Sequence, residues 1–167
     1  EIIKKLDPDY VAVAWDIKGS STVQRSKIYP EYKTGRSKPP EDFYAQLPIL
    51  HELLESFGWP LYELENYEAD DIMGTFSVAA AKEGIETCIV TGDYDMLQLI
   101  SPHTSVYITK KGSELIHFND DAFIEKYGVR VDQFVDYKAL VGDASDNIPG
   151  VRKVGPKAAD KLLNAYN

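Results

Sequence analysis

The sequence predicts an α/β fold, with a mostly parallel central sheet flanked by helices and a helix-hairpin-helix at the C-terminal end. Three observations point there. A short, continuous apolar run at 11–15 reads as a strand buried on both faces, and 85–91 gives the next strand. Segments of helical spacing lie between and after them, and strand–helix alternation favours parallel pairing. Eight carboxylates fall in four clusters, each where a strand or turn ends or a helix begins: Asp16; Glu68, Asp70 and Asp71; Asp93 and Asp95; Asp143 and Asp146.

Taken in order, Val11-Ala12-Val13-Ala14-Trp15 is the first strand and ends in Asp16. From Ile17 to Pro40 the chain is polar and basic, broken by Gly19, Pro30, Gly35, Pro39 and Pro40, and too long for a routine loop. Phe43, Leu47, Leu50, Leu54 and Phe57 restore helical spacing over 41–57, with Gly58 at the end. A second helix is expected from Asn66 as its cap, with Ala69, Ile72, Met73, Phe76, Ala79 and Ala80 facing inward and Gly84 past its end. The strand over 85–91 runs into Thr91-Gly92-Asp93, and a short helix follows through Leu97 and Ile100. A strand pair at 105–108 and 114–118 turns across Lys111-Gly112, and helices follow around 120–126 and 131–141.

Composition narrows the function classes. The chain has 167 residues, 44% hydrophobic, enough for one core with a small appendage. Its single cysteine, Cys88, sits in an apolar run and reads as a core thiol in a reducing compartment. No apolar stretch approaches the roughly 20 residues of a membrane span, and the first residues lack a signal-peptide pattern, so the expectation is a soluble, cytoplasmic protein with no membrane partner. The net charge of −9 argues against simple nucleic-acid binding, but setting aside the eight clustered acids leaves the balance near neutral. The bases are bunched instead, at Arg25, Lys27, Lys33, Arg36 and Lys38, and at Arg152, Lys153, Lys157 and Lys161.

Carboxylates gathered without cations repel, and burying them unpaired costs several kcal/mol. Almost no basic residue is interleaved among these, so the pattern calls for a hard divalent cation such as Mg²⁺ or Mn²⁺, which takes oxygen ligands. Helix capping alone would explain Glu68 and Asp70, and a capped turn would explain Asp93 and Asp95. Convergence at one sheet edge, beyond the carboxyl ends of the strands, favours metal. After the fourth cluster, Ile148-Pro149-Gly150-Val151-Arg152-Lys153-Val154-Gly155-Pro156-Lys157-Ala158-Ala159 fits a helix-hairpin-helix. Gly150 and Gly155 permit the hairpin, Pro156 suits a first helical turn, and Ala158 and Ala159 allow close packing. Free amides there, beside Lys153 and Lys157, can hold a phosphate.

The motifs Tyr67-Glu68-Ala69-Asp70-Asp71, Thr91-Gly92-Asp93-Tyr94-Asp95-Met96-Leu97-Gln98-Leu99 and Tyr137-Lys138-Ala139-Leu140-Val141-Gly142-Asp143-Ala144-Ser145-Asp146-Asn147-Ile148-Pro149-Gly150-Val151 resemble the 5′-nuclease family. That family comprises the 5′→3′ exonuclease domain of bacterial DNA polymerase I, its stand-alone homologues and the flap endonucleases. Asp16-Ile17-Lys18-Gly19 is similar to its second acidic strand end, and Tyr29-Pro30-Glu31-Tyr32-Lys33-Thr34-Gly35-Arg36 to its basic arch entrance. The resemblance implies a two-metal nuclease acting on DNA phosphodiester bonds near a 5′ flap, nick or 5′ end, in replication and repair. Asp16, Glu68 and Asp70 would serve one metal, with Asp71 outside them; Asp93, Asp95, Asp143 and Asp146 would serve the other. Lys33 and Arg36 would reach the scissile phosphate, and Arg25 and Tyr32 would contact DNA. Residues 17–40 would belong to a flexible basic arch. Gly150, Lys153, Gly155 and Lys157 would grip the duplex backbone, in this family around a monovalent cation such as K⁺. Residues 1–140 would form the nuclease core and 141–167 the helix-hairpin-helix, with a DNA polymerase as covalent or functional partner.

Set against the family, the chain begins after a first strand that carries another aspartate, and its C-terminal helical region stops at Asn167. Tyr94 stands where many relatives have lysine, and Gln24 and Ser26 break a Phe-Arg-His pattern around Arg25. The alternatives are a catalytically weak, structure-selective DNA-binding homologue and an RNA-cleaving relative.

Overall fold

A computed structural model describes residues 2–110 and 114–166. The chain divides into two compact units, Glu1–Met73 and Gly74–Asn167. No described helix is long and apolar enough to cross a membrane.

In the first unit, α1 (Ile2–Leu6) precedes β1 (Val13–Ala14), α2 (Val23–Ile28), α3 (Glu41–Ser56) and β2 (Leu61–Tyr62). β1 pairs in parallel with β2, Val13 against Leu61 and Ala14 against Tyr62. The apolar run at 11–15 is therefore a two-residue strand, and it is half-buried rather than buried. α3 starts after Pro40, with Glu41 and Asp42 on its positive end. It continues through Pro48 and ends at Gly58, whose φ of +71° lets its N–H bond Glu55 O at 2.8 Å. Its apolar stripe is present, yet Phe43, Leu50 and Phe57 stay exposed. Among the described residues of this unit only Glu68 and Ile72 are fully buried. The segment 17–40 carries α2 and a run of turns rather than featureless chain.

The division falls within α4 (Ala69–Lys82). This helix begins three residues later than Asn66, which instead takes a left-handed φ of +69°. Glu68 is the residue before the first turn, and Asp71 reaches back to its N–H at 3.0 Å, one half of a capping box. Further along, Ser77 is buried while Phe76 and Ala79 are exposed, so the inward face is rotated from the one that apolarity alone suggests.

In the second unit β3 (Thr87–Thr91) pairs in parallel with β4 (Thr104–Thr109), which pairs antiparallel with β5 (Leu115–Phe118). The turn expected at Lys111-Gly112 lies outside the described residues. Alternation along β4 turns Thr104, Val106 and Ile108 inward. On β3 the same alternation buries Ile89 and leaves Cys88 exposed, so the thiol is not in the core. A 3₁₀ turn over Tyr94–Leu99 follows β3 and buries Met96 and Leu97.

α5 (Asp120–Tyr127) is capped by Asn119, whose Oδ1 accepts from Ala122 N at 3.0 Å, and it ends at left-handed Gly128. After a 3₁₀ turn at Val131–Gln133 come α6 (Phe134–Val141), β6 (Gly142–Asp143), β7 (Ile148–Pro149) and α7 (Pro156–Tyr166). Phe123, Tyr127, Phe134 and Tyr137 form one aromatic cluster with neighbouring centroids 4.9–6.1 Å apart. Each buried ring of this kind contributes about 2–3 kcal/mol of transfer free energy.

Candidate metal centre

In the first unit the acids gather around the start of α4. Asp16 lies two residues past the end of β1, and its Oδ1 accepts from the first helical N–H, at Ala69, at 2.7 Å. Glu68 is 2% exposed, and both of its carboxylate oxygens are taken. Tyr32 donates its hydroxyl to Oε2 at 2.9 Å, Arg25 Nη1 lies 3.1 Å from the same oxygen, and Lys33 Nζ pairs with Oε1. Arg25 also forks onto Asp71, Nη1 to Oδ2 at 2.7 Å and Nη2 to Oδ1 at 3.0 Å. That fork holds the Asp71 carboxyl below the usual carboxylate range and raises the guanidinium above its own. Asp70 is half-buried in the first helical turn, and Arg36 is exposed.

The expectation of acids without interleaved cations is thus corrected by the fold. Arg25 and Lys33 arrive from 46 and 35 residues away. Three residues expected at DNA, Arg25, Tyr32 and Lys33, are held against the carboxylates expected at metal.

In the second unit Asp93 and Asp95 follow β3 through Gly92. Asp93 caps the 3₁₀ turn, its Oδ1 accepting from Asp95 N at 2.8 Å, while its own N–H bonds Thr91 Oγ1 at 3.1 Å. Asp143 and Asp146 come from the β6–β7 hairpin. Gly142, with φ +82°, ends α6 and reverses the chain, so that Asp143 returns over Lys138 on the last turn of that helix. Lys138 Nζ lies 2.5 Å from Asp143 Oδ2 and 2.7 Å from Asp95 Oδ1. The other Asp143 oxygen accepts from Ser145 N at 2.8 Å and Ser145 Oγ at 2.6 Å.

Burial pushes Asp143 upward, but Lys138 and Ser145 outweigh it and hold the carboxyl at about 2. For Asp95 burial wins over Lys138, and its carboxyl is raised. Burial also lowers Lys138, but its two carboxylate partners prevail and raise the ammonium.

Carboxylate oxygens of Asp95, Asp143 and Asp146 lie within 4.8 Å of one another, and Asp146 is buried. Gly92, Asp93, Tyr94, Asp95, Lys138, Asp143 and Ser145 line an open cleft of about 360 Å³ beside them. An all-oxygen set of carboxylate donors fits a hard divalent ion. The strand pairing does not give one acidic sheet edge, because Asp16 follows a strand of a two-stranded sheet and Asp93 a strand of a three-stranded one. Lys138 and Ser145 were not singled out by sequence reasoning. Their signal was position alone, five residues before and two residues after Asp143.

At the C-terminal end Pro156 opens α7, and Gly155 O accepts from both Ala158 N and Ala159 N. Gly150 is required by space: a Cβ there would lie 2.3 Å from Val141 C and O. Gly155 has open space at its Cβ, and the left-handed residue of this turn is Lys153, φ +67°. Lys153 and Lys157 are both exposed.

Residues 1–128 match the family model for the 5′-3′ exonuclease N-terminal resolvase-like domain, and residues 129–167 match the model for the 5′-3′ exonuclease C-terminal SAM fold. The chain belongs to the 5′-3′ exonuclease family. It is 46% identical over 167 residues to DNA polymerase I of Bacillus caldotenax, covering 99% of this chain and 19% of that protein. It is 45% identical over 163 residues to DNA polymerase I of Streptococcus pneumoniae, covering 97% and 18%. The chain therefore spans about a fifth of the length of these curated relatives. Among solved structures, the bacteriophage T5 flap endonuclease in a pseudo-enzyme–product complex with DNA and metal ions superposes with a TM-score of 0.80. Identity to it is 22%, over 99% of this chain and 63% of that one, a likeness of fold.

Proposed function

We propose that this chain is the core of a metal-dependent 5′→3′ exonuclease or 5′-flap endonuclease that hydrolyses DNA in the cytoplasm during replication and repair, in association with a DNA polymerase. The observation that carries this reading is the meeting of Asp95, Asp143 and Asp146, from two separate stretches of chain, within 4.8 Å. Asp93, Asp95, Asp143 and Asp146 would hold one Mg²⁺ or Mn²⁺. Asp16, Glu68 and Asp70 would hold a second, with Asp71 supporting them. When bound, such ions lower the pKa of water and offset charge building on the phosphate.

The chain's own side chains supply the rest. Lys33 and the exposed Arg36 would contact the scissile phosphate, Lys33 by leaving Glu68, while Arg25 and Tyr32 would steady the 5′ end. Gly150, Lys153, Gly155 and Lys157 would hold the duplex backbone through amides and ammonium groups, with K⁺ at the hairpin. These contacts do not read sequence and weaken with salt. The relatives named DNA polymerase I and the T5 complex with DNA and metal ions support this reading.

A second reading, a DNA-binding homologue with little turnover, draws on Glu68, whose oxygens are both engaged by Tyr32, Lys33 and Arg25. Cleavage of a 5′-flap DNA in Mg²⁺, beside binding of the same DNA in Ca²⁺, separates the two. Binding without cleavage selects the second reading, and preference for an RNA flap rejects both.

A further inference from the structure

Lys138 occupies a place that metal binding by itself does not explain. Its Nζ lies 2.7 Å from Asp95 Oδ1 and 2.5 Å from Asp143 Oδ2, two of the three carboxylates that come together. The side chain is 30% exposed, and it lines the cleft alongside both aspartates. An ammonium and a divalent ion draw on the same carboxylate oxygens, and a like charge within a few ångströms disfavours each of them.

We propose that Lys138 is a built-in competitor of the divalent ion. Its ammonium holds Asp95 and Asp143 together without metal, and it must leave at least one of them as the metal binds. The inference rests on the reading that Asp95, Asp143 and Asp146 hold that ion. Lysine suits the task, since its compact charge rides on a flexible four-carbon stem that can withdraw, whereas a guanidinium fork would stay. Ser145 keeps Asp143 oriented through the opposite oxygen, so withdrawal frees Oδ2 without releasing the carboxylate. Lys138 thereby trades stability without metal against affinity for metal.

The test needs neither DNA nor turnover. Mn²⁺ binding to the 167-residue chain is measured from the free-ion spin-resonance signal for the native sequence, Lys138→Met and Asp146→Asn, with melting temperatures taken in chelator and in saturating Mn²⁺. The expected result is Mn²⁺ binding on the order of ten-fold tighter or more in Lys138→Met, with a lower melting temperature than the native chain in chelator and a larger gain on adding metal. Equal or weaker Mn²⁺ affinity in Lys138→Met, with binding still lost in Asp146→Asn, overturns the inference and leaves the metal reading standing. Unchanged binding in Asp146→Asn removes both. Should Lys138→Met fail to fold, the side-chain resonances of Lys138 in the native chain decide. They shift in step with Mg²⁺ saturation if the ammonium is displaced, and their constancy overturns the inference.

Discussion

Arg25 and Asp71, 46 residues apart in the chain, meet in a two-pronged ion pair at 2.7 and 3.0 Å. The pair ties the basic segment to the first turn of α4. Both side chains are about one-third exposed, so solvent discounts the attraction.

Arg25→Met is expected to cost about 1 kcal/mol in urea unfolding, near the upper end for exposed pairs because the geometry is bidentate. Arg25→Lys should recover less than half of that, as an ammonium cannot fork. A double-mutant cycle with Asp71→Asn measures the coupling directly, and a coupling near zero would remove the tether.

The Asp143 carboxyl, held at about 2 against an ordinary 3.8, makes stability acid-sensitive. A depressed folded-state value means that the contribution is complete above about pH 4 and is lost as pH falls toward 2. In metal-free protein the stability difference between the native chain and Asp143→Asn should therefore be about 1 kcal/mol at neutral pH, after allowance for solvent, and should shrink through that window. Asp95, raised by burial, acts in the opposite sense, which is why the comparison is made against Asp143→Asn rather than from the native profile alone.

Asp93 separates capping from ligation. Asn accepts from Asp95 N as well as Asp does, so Asp93→Asn should stay within about 0.5 kcal/mol of native stability, whereas Asp93→Ala should lose about 1 kcal/mol. On the proposed function Asp93→Asn should nevertheless abolish cleavage while leaving DNA binding largely intact. Equal loss of both would count against a role at metal.

The glycines of the hairpin differ in what they tolerate. Gly150→Ala places a methyl 2.3 Å from the Val141 carbonyl, and Gly142→Ala places one 2.3 Å from Gly150 N at a positive φ. Each should destabilise by more than about 2 kcal/mol in thermal or urea unfolding. Gly155→Ala meets open space and should remain within about 0.5 kcal/mol of the native chain.

Much of the second unit was legible from local pattern. The strand expected over 85–91, found at Thr87–Thr91, the capped turn at Gly92-Asp93 and Pro156 at a helix start all report on neighbouring residues. The first unit was harder to read. Val11 to Trp15 looks like a core strand, yet it pairs over two residues and stays half-buried, because burial depends on what covers a strand. Cys88 shares its run with Ile89 but faces the other side of the strand, a distinction that continuous apolarity conceals.

The sequence by itself determined which carboxylates stand at element ends, where α3 to α7 and β3 to β5 fall to within a few residues, and the family to which the chain belongs. These follow from periodicity, capping and motif order, all of them short-range along the chain. Only the tertiary structure decided which charge meets which: Arg25 and Lys33 at Glu68, and Lys138 between Asp95 and Asp143. The physical reason is that an ion pair depends on distance through space: Lys33 stands 35 residues from Glu68 and Arg25 46 from Asp71, separations that leave no local trace of the pairing.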